Sequence, residues 1–336
     1  MPPSLEEAIH LVFSTSGKGL LVQAGAKRAR VHGSDDALTS GPCDVDPVRH
    51  EKLREAWDTE LGGPGSRHRV GLECLRAMIA GEEPVVLWGT RAFLDLVWLW
   101  WALEGLRRIG AAGPRFFLAR PSPDDPLTVC GGSTPEVARD ALANAEPITD
   151  DEWREGAELW FKYASSSPLA FDEARRNGSS VFPELTSSAA LHGAWFPRFS
   201  DGRLRLSELD ATLLSVVSDS WLTTAHLLQA LPEDRLARLV GPFPGFFPIL
   251  RLRDWAKLGV LKHETVNDED PWVQDRFRAT ERSRAMLVHG LAQVGDAPQL
   301  YVGGCLVNDI TSPWIRVEDD SGWRLALNAK SGPGSS

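Results

Sequence analysis

Cysteine is scarce in this chain, and the few cysteines lie far apart in the sequence. The 336 residues include four cysteines, none of them in a Cys-x-x-Cys pair: Cys43, Cys74, Cys130 and Cys305. This spacing excludes the common zinc patterns and argues against a disulfide framework, because both need clustered cysteines. We therefore expect reduced thiols and no metal site.

A basic surface is also lacking. The chain has 36 Lys and Arg against 46 Asp and Glu, which gives a formal net charge of −10. The acidic excess is present in both halves, since residues 1–145 hold 16 basic and 19 acidic residues. Binding to a nucleic-acid backbone needs clustered Lys and Arg, so this balance disfavours nucleic acid as the main partner.

Long apolar runs and targeting signals are a third absence. The most hydrophobic stretch, residues 94–106, is interrupted by Asp95 and Glu104 and is shorter than the roughly 20 apolar residues of a membrane span. The first residues, Met-Pro-Pro-Ser-Leu-Glu-Glu, have neither the basic nor the apolar part of a signal peptide. The sequence thus predicts a cytoplasmic protein with no membrane partner.

The first half of the chain alternates between short apolar runs and helical patterns. Four runs are candidate strands: residues 9–13, 28–32, 84–88 and 115–119. Strands that alternate with helices form parallel sheets, which predicts an α/β fold with a Rossmann-like parallel-sheet domain over residues 1–146. We expect the first helix at about residues 19–26. The first strand lacks polar alternation, which predicts a central, fully buried position.

The second half is mainly helical, from residue 147 to residue 328. Helical patterns at residues 208–217, 223–231, 234–240 and 247–258 precede strand patterns at 260–261 and 276–279. This order is typical of a winged helix, and we predict a winged-helix-like segment over about residues 204–291. A C-terminal β-hairpin is expected between residues 300–302 and 314–325. The Ser/Gly/Pro tail, 329–336, is expected to be disordered.

Several short motifs along the chain resemble one bacterial family. Besides the opening strand and its Ser/Gly turn, they are the stretches at residues 36–42, 86–88, 145–149, 204–208 and 303–304. The chain resembles the family catalogued as domain of unknown function 1835, joined to a C-terminal domain of unknown function 3658. The resemblance implies a two-part architecture and carries no activity. Members of that family commonly have Gly-Asp-Ser after the first strand, where this chain has Ser14-Thr15-Ser16.

The turn after the first strand is the leading candidate for ligand contact. It contains Ser14, Thr15, Ser16, Gly17 and Lys18. The turn is neither a Walker A loop nor the dinucleotide pattern Gly-x-Gly-x-x-Gly. Its backbone N–H groups, hydroxyls and lysine at a helix N-terminus would suit a phosphate, sulfate or carboxylate. The alternative is that Ser and Gly only permit a tight turn.

Other candidates follow the later strands. In open parallel sheets, ligands bind outside the carboxyl ends of the strands. The polar residues expected there are Asp35, Asp36, Thr90, Arg91 and Arg120. Cations would hold an anionic group and acids a sugar or amine, although polar loop residues are commonly just solvated. No Ser/His/Asp arrangement stands out, so we assign no catalytic residue and no cofactor.

The winged-helix-like segment raises the question of DNA. Its candidate recognition helix carries Arg251, Arg253 and Lys257. However, residues 204–282 hold 10 basic and 12 acidic residues, and the wing tip at residues 268–270 is Asp-Glu-Asp. An acidic wing would face phosphates, so we favour a role in packing or protein contact.

Three functions from different classes remain open. The first is a protein that binds an anionic small molecule, such as a nucleotide, at the carboxyl edge of the sheet, and that acts as a transferase on a small metabolite or peptide. The second is a non-catalytic protein-interaction module. The third is a DNA-binding regulator, which the charge balance disfavours.

Overall fold

The computed structural model describes residues 2–34, 36, 38–60, 72–111, 113–124, 128–231, 246–265, 275–319 and 322–328. The chain divides into two compact units, Met1–Ser188 and Ala189–Ser336. The expected helix at 234–240, the acidic loop at 268–270 and the tail at 329–336 lie outside the described residues.

A five-stranded, mostly parallel sheet is the centre of the first unit. Its strands are β1 (Ile9–Phe13), β2 (Val31–Ser34), β3 (Val85–Trp88), β4 (Phe116–Ala119) and β5 (Glu146–Pro147). The order is β2-β1-β3-β4-β5, and only β5 is antiparallel to its neighbour. The expected parallel sheet with an interior first strand is therefore confirmed. All five residues of β1 are buried, as expected for a strand covered on both faces.

Helices cover both faces of this sheet. They are α1 (Thr15–Ala24), α2 (Pro47–Glu60), α3 (Leu72–Met78), α4 (Phe93–Arg108), α5 (Pro135–Ala143), α6 (Asp150–Tyr163), α7 (Leu169–Asn177) and α8 (Leu185–Ser188). One core joins α1 and α5 to β1 and β3. On α6, Trp153 packs against Phe116 of β4 with ring centroids 5.6 Å apart.

Helix α4 belongs to the core. Trp98 and Trp100 are almost fully buried, and the Trp100 ring contacts Phe171 and Phe182. No helix within the described ranges is long and apolar enough to cross a bilayer. Helix α6 packs along α4, and the first compact unit extends past the expected boundary at residue 146 to Ser188.

Two expected element starts in the first unit are wrong. The first helix begins at Thr15 rather than near residue 19, because the Ser14 hydroxyl caps it by accepting a hydrogen bond from Gly17 N at 3.0 Å. The segment Arg28–Arg30 is a 3₁₀ turn, and the strand begins at Val31. Neither shift moves β1 in the sheet.

The second unit combines short helices with three small sheets. Its helices are α9 (Ala190–Gly193), α10 (Glu208–Ser215), α11 (Thr224–Ala230), α12 (Phe246–Lys257) and α13 (Glu281–His289). Its strands are β6 (Arg198–Ser200), β7 (Arg203–Arg205), β8 (Leu222–Thr223), β9 (Leu261–Thr265), β10 (Asp275–Ala279), β11 (Leu300–Val302), β12 (Cys305–Val307), β13 (Trp314–Asp319) and β14 (Gly322–Leu327). The sheet orders are β8-β10-β9, β11-β12 and β14-β13-β6-β7.

The expected C-terminal hairpin is wrong in its pairing. Strand β11 pairs with β12, and β13 pairs with β14. Gly303, with φ of 62°, supplies the left-handed backbone that lets β11 turn back at once, so β11 meets its nearest neighbour in sequence. Strand β13 also runs parallel to β6.

Candidate functional site

The strand order predicts a ligand site at the carboxyl ends of β1 and β3. Strand β1 lies between β2 and β3, so the chain crosses β1 after β2, and the direction of winding changes between β1 and β3. Open α/β sheets bind ligands outside the carboxyl ends of the strands at such a point. The residues there are the Ser14 turn, the segment that starts at Gly89, and the residues after β4.

The Ser14 turn is a well-formed helix cap. Ser14 has φ of 73°, which is rare for a residue with a side chain, and it is buried. Its hydroxyl lies 2.9 Å from the Ser16 hydroxyl, and its carbonyl accepts from Lys18 N at 3.1 Å. The amides of Gly17 and Lys18 therefore already donate within the turn.

A second loop lies directly on this turn. A Cβ atom on Gly131, in the 3₁₀ turn Cys130–Gly132, would lie 2.7 Å from Gly17 N and 2.5 Å from the Ser16 hydroxyl. Real Cβ atoms do not approach so closely, so only glycine allows this contact. The backbone at Gly131 covers part of the end of α1, which favours the reading of Ser14–Gly17 as a tight, packed turn.

Lys18 and Asp36 have different surroundings. Lys18 is half-buried and forms no ion pair with any residue that the structure describes. Asp36 forms an ion pair with the buried Arg54 of α2, whose guanidinium also donates to Ser40 O. This pair ties the loop after β2 to α2, so the Asp36 carboxylate has a structural partner. Asp35 lies outside the described residues.

Asp95, in the first turn of α4, connects Thr90 with the Gly131 loop. Its Oδ2 accepts from Thr90 Oγ1 at 2.8 Å, from Thr90 N at 3.1 Å and from Cys130 N at 2.8 Å. Its Oδ1 is buried and has no hydrogen-bond partner among the described residues. Burial raises the pKa of Asp95 to about 6, although the three hydrogen bonds act in the opposite direction.

Thr90, Arg91 and Arg120 line one cleft of about 690 Å³. The other walls come from Ser122, from Glu152 in the first turn of α6, and from residues 180–188, which include Glu184. Small-molecule sites span roughly 300–1,000 Å³, so the size fits such a ligand. We call this space the arginine cleft.

The two arginines of the cleft differ electrostatically. Arg120 donates to Glu184 at 2.9 Å and to Glu152 at 3.4 Å, and its guanidinium lies 5.3 Å from the centre of the Phe182 ring. Two carboxylates thus neutralise it. Arg91 is exposed and makes no side-chain ion pair or hydrogen bond with described residues, so its charge is available to a ligand.

The structure therefore brings some of the predicted residues together and separates others. Thr90, Arg91 and Arg120 share the arginine cleft, whereas the Ser14 turn packs against Gly131 and does not line that cleft. The sequence analysis missed Glu152, Glu184 and Asp95. For Asp95 a signal existed, namely a lone acid at the start of an apolar helix, which is a costly residue to bury without a role.

The acidic and basic side chains of the described residues bear on metal binding and on DNA binding. In the described parts of the chain, no three His, Cys, Asp or Glu side chains lie together as a metal ion would need. The cations of α12 each pair with an acidic side chain. Arg251 is fully buried and donates to the two carboxylate oxygens of Asp210 at 2.7 and 2.8 Å. Arg253 donates to Asp275, and Lys257 donates to Asp254. Arg251 is therefore a core residue rather than one exposed on a recognition helix.

Comparison with known proteins adds no family. No protein-family model matches this chain, and no curated protein matches it. The resemblance to domains of unknown function 1835 and 3658 stays a prediction.

Proposed function

We propose that this protein binds a small anionic molecule in the arginine cleft, at the carboxyl ends of β3 and β4. The observation that carries the proposal is that Thr90, Arg91 and Arg120, which follow two neighbouring parallel strands, line one cleft of about 690 Å³. The free guanidinium of Arg91 binds the anionic group, since arginine matches carboxylate and phosphate oxygens with paired donors.

We also infer two features of the fold that go beyond the arrangement of strands in the sheet. We infer that the first unit is Rossmann-like, because β2-β1-β3-β4 are parallel and helices cover both faces. We infer that α10, α11, α12 and the sheet β8-β10-β9 form a winged-helix-like segment. Its use in packing, rather than in DNA binding, is supported by the buried pair of Arg251 with Asp210.

The test measures anion binding by the full chain. Isothermal titration with inorganic phosphate, hexanoate and adenosine monophosphate is carried out on the wild type and on Arg91→Ala. We expect the variant to bind the preferred anion about tenfold more weakly, because one charge-assisted hydrogen-bonding group is lost. Its unfolding midpoint should not change, because Arg91 is exposed.

The matched control is Arg154→Ala. Arg154 is an equally exposed arginine that pairs with Asp151 on α6 and does not line the cleft. It should bind anions as the wild type does. If none of the anions binds the wild type, or if Arg91→Ala binds as tightly as Arg154→Ala, the arginine cleft is not the site and the proposal is wrong.

A further inference from the structure

A second cavity adjoins the arginine cleft. It has a volume of about 360 Å³ and lies between α5 and the strands β4 and β5. The two spaces share three lining residues, Arg120, Ser122 and Glu152. A ligand in the cleft can therefore be contacted by the same side chains that border the cavity.

The lining of this second cavity is acidic, whereas the cleft contains the cation Arg91, which forms no ion pair with described residues. Its wall carries Asp140 of α5, Glu146 of β5 and Glu152, against the single guanidinium of Arg120. Arg120 is already bonded to Glu152 and Glu184. The carboxylates of Asp140 and Glu146 are exposed and form no ion pair with described residues. We call this space the acidic cavity.

Apart from Ser122 and Asn144, the remaining lining is apolar. Leu118, Val137 and Ala141 contribute aliphatic surface beside the two carboxylates. Such a wall suits the methylene stem of a ligand whose end is polar, because apolar stems bury favourably while charged heads keep polar partners. The order of groups is thus a free cation at Arg91, the neutralised Arg120 cluster, and free carboxylates beyond it.

We propose that the ligand is a zwitterion, with an anionic group bound at Arg91 and an ammonium group bound by Asp140 and Glu146. This inference rests on the proposed function and names its substrate class: amino acids whose amine and acid lie at opposite ends of a methylene stem, or short peptides. Complementary charges at both ends select such a molecule over a simple anion, which would meet the uncompensated carboxylates.

The experiment compares three probes of equal stem length on the full chain. They are 6-aminohexanoate, hexanoate and hexylamine, measured by isothermal titration, with inorganic phosphate as a fourth probe. We expect 6-aminohexanoate to bind the wild type about tenfold more tightly than hexanoate, since the ammonium adds a charge-assisted contact. In Asp140→Asn/Glu146→Gln this advantage should disappear, and hexanoate should bind at least as tightly as it binds the wild type, because it no longer meets uncompensated carboxylates.

The control is Glu158→Gln/Glu173→Gln, which removes the same charge from exposed acids that line neither space. It should keep the advantage, and unfolding curves of both double variants should match the wild type. Equal binding of 6-aminohexanoate and hexanoate, or an advantage that survives Asp140→Asn/Glu146→Gln, overturns the zwitterion inference and leaves anion binding standing. Absence of binding by all probes overturns both.

Discussion

At the scale of single residues, Asp95 is a buried acid at the carboxyl edge of the sheet in the first unit. It is a fully buried carboxylate, and one of its oxygens lacks a hydrogen-bond partner among the described residues. The other oxygen holds Thr90, which lines the arginine cleft, and Cys130, which precedes the glycine that packs on α1. Asp95 therefore positions two loops at the carboxyl edge of the sheet, and its ionisation affects both.

The stability of the protein should depend on the ionisation of Asp95. Its pKa is about 6 in the folded state, against an ordinary value of 3.8. Because the folded-state pKa is raised, the stabilising contribution of the protonated group is complete below about pH 4 and is lost as the pH rises through about 6. Relative to Asp95→Asn, the wild type should lose about 3 kcal/mol of unfolding free energy across this window.

Urea unfolding between pH 4 and pH 7.5 measures this difference. The exposed acid Asp151, changed to Asn, serves as the control and should show no comparable pH dependence. A constant difference between wild type and Asp95→Asn across the range would contradict the prediction.

At the scale of elements, the end of α1 depends on the loop that covers it. The turn Cys130–Gly132 packs on Ser16 and Gly17, and Gly33 of β2 approaches Ser14 O in the same region. The backbones of three chain segments thus lie directly against one another. This closeness accounts for the glycines at positions 131 and 33, where a Cβ atom would not fit.

Gly131→Ala should destabilise the protein. The new Cβ would lie 2.5 to 2.9 Å from Ser16 and Gly17, so the loop must move, at a cost of about 1–3 kcal/mol. Gly19→Ala is the control on the same helix, where nothing lies within 4 Å of the new atom. It should stabilise the protein by about 0.5–1 kcal/mol, because alanine restricts the unfolded chain.

Denaturant midpoints measured for both variants check this contrast. An unchanged midpoint for Gly131→Ala would mean that the loop does not pack on the helix as described.

At the scale of the whole molecule, charge bears on the choice of partner. The chain has a formal net charge of −10, and the described cations of α12 are bonded to Asp210, Asp275 and Asp254. Duplex DNA needs exposed, uncompensated cations to replace its counterions, so α12 offers little for it.

We therefore expect no specific binding of duplex DNA. Fluorescence anisotropy with genomic fragments, at low and at physiological salt, measures this. A basic winged-helix protein of known affinity serves as the positive control. Sequence-dependent binding that persists at physiological salt would revive the DNA-binding function that the charge balance disfavours.

Local patterns in the sequence determined much of the architecture. The uninterrupted apolar run of β1 predicted an interior strand, and the runs at residues 84–88 and 115–119 predicted β3 and β4 to within one residue. These features follow from burial and periodicity within one segment, so neighbouring residues suffice to predict them. The sequence placed Thr90, Arg91 and Arg120 at one edge with the Ser14 turn and Asp36, because the carboxyl ends of parallel strands meet there. Of these residues, Thr90, Arg91 and Arg120 line the arginine cleft.

Long-range contacts were decided only by the tertiary structure. The pairing of β13 with β6, the bond of Asp36 to Arg54, and the carboxylates that neutralise Arg120 all join residues distant in sequence. No local pattern specifies such partners, because a hydrogen bond or ion pair depends on which surfaces the fold brings together. For this reason the sequence alone predicted cations at the edge of the sheet, and the tertiary structure decided that Arg91 remains available to a ligand.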